Sequence, residues 1–145
     1  MSRVSDNSNE VLAERAKELE CLYEINEALA GADLPDVLQK ISEIIPLGFR
    51  DIHKCTADIY FDGQHYFTRQ PTENCDELQT DIIINDYVRG YIKVMYPKGT
   101  FQDKEAFLPQ EARMLKTISN IISNSVYKKN QTHDFHPGTE WESII

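Results

Sequence analysis

Cys55-Thr56-Ala57-Asp58-Ile59-Tyr60-Phe61-Asp62-Gly63 is the stretch that decides the fold. Its apolar residues Cys55, Ala57, Ile59 and Phe61 alternate with Thr56, Asp58, Tyr60 and Asp62. Successive side chains of a strand point to opposite faces, so this period of two predicts a half-buried β-strand. Asp62-Gly63 predicts a tight hairpin, because both central positions of a type I′ turn need positive φ. The partner strand is expected over His65 to Arg69, followed by a loop from Gln70 to Glu77 that holds Pro, Asn and Asp. Leu78 to Ile84 reads as a third strand, Asn85-Asp86 as a second turn, and Gly90 to Tyr96 as a fourth strand ended by Pro97. Connections this tight imply antiparallel neighbours.

Outside this block the period becomes helical. Glu10 to Ala30 is rich in good helix formers, with Asn9 as its expected N-cap and Gly31 as its stop. Asp33 predicts the N-cap of a second helix with Pro35 in its first turn, and Leu34, Val37, Leu38, Ile41, Ile44 and Ile45 form its apolar stripe. Pro46 and Gly48 end it. Pro109 opens a long final helix, with Leu115, Ile118, Ile122 and Val126 as its stripe, widened by Met114 and Ile121, and Lys128-Lys129 near its C-terminal end. The expected fold class is α+β, an antiparallel sheet with the N-terminal and C-terminal helices packed on one face. The expected divisions are a disordered lead at 1–9, a dimerisation helix at 10–30, a core domain at 31–129 and a flexible tail at 130–145.

The 145 residues suffice for one domain with a real core. Fifteen Lys and Arg against 24 Asp and Glu give a net charge of −9, which argues against nucleic-acid backbones and anionic lipid surfaces as partners. No run approaches the ~20 apolar residues of a membrane span, and Met1 to Asn9 lacks the apolar stretch of a secretory signal. Cys21, Cys55 and Cys75 are odd in number and widely spaced, which fits small buried side chains in a reducing, cytoplasmic compartment. Asn130-Gln131-Thr132 is a glycosylation sequon only in form.

Catalytic signatures are absent: no phosphate-binding loop, dinucleotide fingerprint, zincin motif or nucleophile elbow occurs. No catalytic residue is assigned and no metal site is expected. His133 and His136 offer two ligands without a third anchor nearby. His53 precedes Cys55 by two residues, a spacing that fits a loop histidine beside a core cysteine better than an activated thiol. Asp58, Asp62, Asp81 and Asp86 read as solvated strand faces and turns. Tyr60, Tyr66, Tyr91 and Lys93 are the expected residues of any ligand site on the sheet.

The first helix carries the strongest functional signal. In heptads, Leu12, Leu19 and Asn26 share one seam position and Arg15, Leu22 and Leu29 the other. A lone Asn in such a seam fixes register and two-strandedness. Val11, Ala16, Tyr23, Ile25 and Ala28 supply a second apolar face. Leu12, Leu19, Leu22, Asn26 and Leu29 are therefore the expected contacts of a homodimer, and the final helix is also expected to have apolar surface to spare.

Together, Glu18 to Asn26, Leu34 to Phe49, Ala57 to Gly63, Gly90 to Tyr96 and Phe107 to Leu115 resemble, in order and spacing, a compact GAF domain of the kind attached to sensor histidine kinases and related signalling proteins. The resemblance covers roughly residues 18–129. It implies an antiparallel sheet carrying helices, a sensory or regulatory role in a dimer, a possible small-molecule ligand between sheet and loops, and a downstream signalling domain, toward which Thr139 to Ile145 points faintly. The connections 70–77 and 97–107 are too short for the lid helices of larger members. The cyclic-nucleotide pattern and a bilin-attachment cysteine are missing, so the cofactor stays unknown. The expected function is a non-catalytic sensory module that relays a signal through dimerised terminal helices. The alternatives are a thiol-based reductase of the free methionine sulfoxide type, with Cys55 and Cys75 as candidate nucleophiles, and a ligand-free protein interaction domain.

Overall fold

The computed structural model describes residues 2–102 and 104–134, with side chains from Leu12 to Lys129 apart from Asp103. Helix α1 (Ser2–Ala28) leads into α2 (Leu34–Ile44) and a 3-10 turn, Ile45–Gly48. Strands β1 (Thr56–Phe61), β2 (Gln64–Phe67), β3 (Cys75–Ile84) and β4 (Tyr87–Pro97) follow, then α3 (Pro109–Asp134). The class is α+β, with one four-stranded sheet in the order β2-β1-β4-β3 and every neighbouring pair antiparallel. Two local hairpins are thus joined by the β1–β4 ladder.

Local chemistry places the elements. Asp62 and Gly63 have φ of 48° and 85°, and Asn85 and Asp86 have 55° and 69°, so both hairpins close through the left-handed pairs their sequences announce. Asp33 caps α2 by accepting the Asp36 N–H, and Pro35 sits in the first turn, where its missing N–H costs no hydrogen bond. At α3, Pro109 is the first helical residue, and Glu111 reaches back to accept the Leu108 N–H at 2.8 Å, which is half of a capping box.

The core lies between sheet and helices. Ala57, Ile59, Phe61, Ile82, Ile92 and Val94 face Leu38, Ile41, Leu115, Ile118 and Ile122 within one cluster of buried residues. Helix α3 lies along β3, and α2 lies against β1 and β2. Helix α1 packs chiefly on α2, the 3-10 turn and α3, so it forms an outer tier rather than sharing the sheet face as expected. It is seated by Cys21, Ile25 and Ala28, with the Cys21 thiol 3.8 Å from the carbonyls of Ile44 and Ile45.

Four boundaries differ from the sequence expectation by three residues or more. Helix α1 already begins at Ser2, because the Ser- and Asn-rich lead contains neither Gly nor Pro to break it. Strand β3 starts at Cys75 inside the expected loop, where pairing with β4 carries Asp76 and Glu77 despite their low propensity, and β4 starts at Tyr87, whose ring and the branched Val88 favour a strand. Helix α3 continues to Asp134, five residues past Lys129, and the rest of the expected tail lies outside the described residues. The side chains of the His133–His136 pair, the sequon and the Thr139–Ile145 segment lie outside them as well.

Candidate functional site

One sheet face packs on the helices and the other carries a polar and aromatic grid. Register sets its rows across β2, β1, β4 and β3: His65, Tyr60, Tyr91 and Asp81 form one, and Phe67, Asp58, Lys93 and Gln79 the next. The Tyr60 and Tyr91 rings stack with centroids 5.2 Å apart, and His65 stacks on Phe67 at 5.3 Å. His65 also lies 4.7 Å from the Tyr60 ring. Lys93 Nζ sits 5.3 Å from the Tyr91 ring and 3.9 Å from Glu77 Oε1.

Of the expected ligand residues, the fold brings Tyr60, Tyr91 and Lys93 together. Tyr66 is a correction: it pairs with Ile59, points to the helix side and packs half-buried against the core. The two-residue turn at Asp62-Gly63 fixes this, because it sets His65 opposite Tyr60 and forces Tyr66 to the other face. Asp58, expected to be solvated, is only 5% exposed. Its carboxylate lies 3.0 and 3.1 Å from His65 Nδ1, a partner that sequence reasoning passed over. Burial, followed by the Asp58 carboxylate, raises the Tyr91 hydroxyl above its ordinary range.

The grid is wired to the helices. The Phe67 carbonyl accepts from Gln39 Nε2 of α2 at 2.8 Å, and the Thr68 hydroxyl donates to the Ser42 carbonyl, also on α2. At the other edge, the Ser119 hydroxyl of α3 donates to the Asp81 carbonyl at 2.6 Å. These bonds tie β2 and the residue after it to α2, and α2 packs against α1.

The outer face of α1 is the second candidate surface. Leu12, Leu19 and Tyr23 are 64%, 61% and 62% exposed. With Ala16 and Asn26, also exposed, they form one stripe whose spacing alternates four and three residues. This stripe is rotated from the expected seam: Leu29 is buried in the core and Leu22 packs half-buried against it, while Ala16 and Tyr23 lie outward. Asn26 remains in the stripe and donates to the Leu22 carbonyl at 3.0 Å. Among the described side chains of α3 there is no comparable surface, since its outward positions include Arg113, Thr117, Asn120, Asn124 and Tyr127. Helices α1 and α3 run side by side in the same direction: Glu14 and Glu18 share a groove with Gln110 and Arg113, and Lys129 Nζ donates to the Gly31 carbonyl at 2.9 Å.

The cysteines are unequal. Cys55 is fully buried, and desolvation, followed by the Glu111 charge, pushes its thiol far above the ordinary range. Burial likewise pushes Cys21 up to about 12. His53 is exposed on the preceding turn. Cys75 alone is partly exposed, with its sulfur 3.1 Å from the Thr72 carbonyl and 3.3 Å from the Thr72 hydroxyl. Since the thiolate is the reacting form, native alkylation near neutral pH is expected to modify Cys75 first, leaving Cys21 and Cys55 protected until the chain unfolds. Mass spectrometry of iodoacetamide-treated protein checks this, and rapid labelling of Cys55 would contradict it.

Among the described residues, no group of three or more His, Cys, Asp or Glu is placed to hold a metal, and no helix is long and apolar enough to cross a membrane. The connections from Thr68 to Asn74 and from Lys98 to Leu108 carry turns and no helix among the described residues, so the open sheet face has no helical lid from them. No family model matches this chain, and no curated protein matches it.

Proposed function

We propose that this protein is a non-catalytic regulatory module of the sensory, GAF-like kind, which acts as a homodimer through a parallel pair of α1 helices. The observation that carries this reading is the outward stripe of α1. Leu12, Leu19 and Tyr23 are left in water by the fold, at heptad spacing and in line with Asn26. A second copy presenting the same stripe buries them by the packing that joins two-stranded coiled coils.

Input enters at the Tyr60–Tyr91–Lys93 face, with a small ligand as the simplest source. It alters the stacking of His65 and Phe67 on β2, and the Phe67–Gln39 and Thr68–Ser42 bonds pass the shift to α2 and so to α1. A difference of about 1–3 kcal/mol between two arrangements of the helix pair is enough for such coupling. The parallel course of α1 and α3 suits a module set in line between a preceding and a following segment. The order and spacing of the GAF-like stretches and the antiparallel sheet support the same reading, as does the burial of Cys55, which works against thiol chemistry there.

Sedimentation velocity at micromolar concentration tests the assembly. The wild-type chain is expected at twice the monomer mass, and the double variant Leu19→Glu, Tyr23→Glu at the monomer mass. Both side chains are mostly exposed within one protomer, so the fold should change by less than about 0.5 kcal/mol. A monomeric wild type, or a dimer indifferent to both charges, contradicts the proposal.

A further inference from the structure

The two edges of the sheet differ. Strand β2 has four residues, whereas β3 has ten and ends the sheet order, with no strand among the described residues paired to its outer side. A long unpaired edge is a template for another strand.

Register shows which backbone groups of β3 face outward. Ala57 turns its carbonyl toward β2, where it accepts the Thr68 N–H at 3.0 Å, so Asp58 and Tyr60 turn theirs toward β4. Alternation then directs Tyr91 and Lys93 of β4 to β1, and Ile92 and Val94 to β3. Leu78 and Thr80 pair inward, which leaves the N–H and C=O groups of Glu77, Gln79 and Asp81 pointing away from the sheet. The Ser119 hydroxyl meeting the Asp81 carbonyl agrees with this assignment. Beside these groups runs a groove, floored by Ser119 and flanked by Lys116 and Asn120 of α3.

Charge selects the occupant. Glu77, Gln79 and Asp81 are exposed and lie on the same sheet face. A second copy pairing antiparallel about Gln79 would set Glu77 against Asp81 twice, and like charges directly opposite are destabilising. A basic strand in the same place meets a carboxylate at both positions, Asp81 and Glu77, the latter shared with Lys93 at 3.9 Å. On the groove side, Thr80, Ser119 and Asn120 suit small polar side chains, and Lys116 disfavours a cation there, which confines the basic side chains to the Glu77–Asp81 face.

We propose that the β3 edge docks an extended peptide segment, with Lys or Arg at every second position, as a fifth strand of the sheet. Backbone hydrogen bonds to Glu77 and Gln79 hold the strand, and the two carboxylates set its preference. The site lies away from the α1 stripe, so it stands or falls separately from the dimer.

The test uses the whole chain and a fluorescein-labelled heptapeptide of alternating Lys and Thr, read by anisotropy and by amide hydrogen exchange. Saturable binding is expected, with exchange slowed at the outward amides of Glu77 and Gln79. The Glu77→Lys, Asp81→Lys variant should bind about tenfold more weakly, equivalent to about 1.4 kcal/mol, and should accept a Glu–Thr heptapeptide instead. Gln79→Pro removes one outward N–H while sparing the β4 ladder and should also weaken binding. Equal binding of a backbone N-methylated peptide would show charge adhesion without strand addition and overturn the proposal. Absence of saturable binding at millimolar peptide would overturn it too. So would a wild-type dimer that survives Leu19→Glu, Tyr23→Glu but is lost in Gln79→Pro, which would place a second copy on the edge.

Discussion

Replacing Gly90 by Ala is expected to destabilise the fold by about 3 kcal/mol or more, among the largest losses available to a single methyl group. Gly90 sits in β4 opposite Phe61 of β1 and Ile82 of β3, beside the register shift between Ile82 and Ile83. A Cβ at this position would lie 1.8 Å from the Tyr60 carbonyl oxygen and 2.9 Å from the Phe61 Cα. These are backbone atoms of the neighbouring strand, so relief requires parting the β1–β4 ladder that joins the two hairpins. The adjacent Tyr60–Tyr91 stack is expected to loosen with it. Gly63→Ala is the contrasting variant: φ is 85° but nothing lies within 4 Å of the added methyl, so its cost is conformational, about 1 kcal/mol. Urea midpoints of the two variants check the order, and a Gly90→Ala chain as stable as wild type would mean that the ladder is not placed as described.

Glu111→Ala is expected to cost about 3 kcal/mol. The Glu111 carboxylate is buried at the start of α3 and accepts the backbone N–H of Leu108 at 2.8 Å and of Arg50 at 3.0 Å. It is also the ionic partner of Arg50, at 3.8 Å, whose guanidinium lies over Phe101 and donates to the Glu105 carbonyl at 2.6 Å. Removing the carboxylate therefore uncaps α3 and strips the Arg50 loop of its anchor together. Burial raises the Glu111 carboxyl above its ordinary range, so the fold prefers its protonated form. That contribution is fully present below about pH 4, the ordinary glutamate value, and is lost as pH rises through the raised one. Glu111→Gln lacks this titration, so the stability gap between wild type and Glu111→Gln should narrow from acid toward neutral pH. Denaturant titrations at both pH values measure it, and a gap that widens would reverse the assigned direction.

The parts of the fold legible in the sequence are those fixed by neighbouring residues. The strand at Thr56–Phe61, the left-handed pairs Asp62-Gly63 and Asn85-Asp86, and the Asp33 cap each depend on a few adjacent residues and are in place, although β1 is buried on both faces apart from Tyr60 rather than half-buried. Decisions that depend on distant partners were not legible. Helix α1 has apolar residues on both faces, and only the seating of Cys21, Ile25 and Ala28 on α2, the 3-10 turn and α3 determines that Leu29 goes inward and Tyr23 outward. Asp58 reads as a surface residue until β2 folds His65 over it. Tyr66 reads as a ligand residue until the hairpin register turns it to the helices, although the length of the turn already contained that answer. The Glu111–Arg50 pair spans 61 positions and leaves no periodic trace.

The open sheet face and the α1 stripe lie on different tiers, with α2 between them. In the proposed relay, the link between them runs through Gln39 and Ser42 rather than through direct contact. Strand β2 suits the input side of that proposal, being a short edge strand whose register rests on one neighbour, β1.

The most direct test of the proposed parallel α1 pair is cross-linking of Leu12→Cys in a Cys75→Ser background. In a parallel two-fold pair, Leu12 faces its own copy near one end of the stripe, whereas an antiparallel pair would carry the two copies to opposite ends. Mild oxidation is expected to give a disulfide-linked dimer on a non-reducing gel, and Asn124→Cys on the outward face of α3 should give none. A Leu12→Cys chain that stays monomeric under oxidation, or that cross-links no faster than Asn124→Cys, contradicts the account.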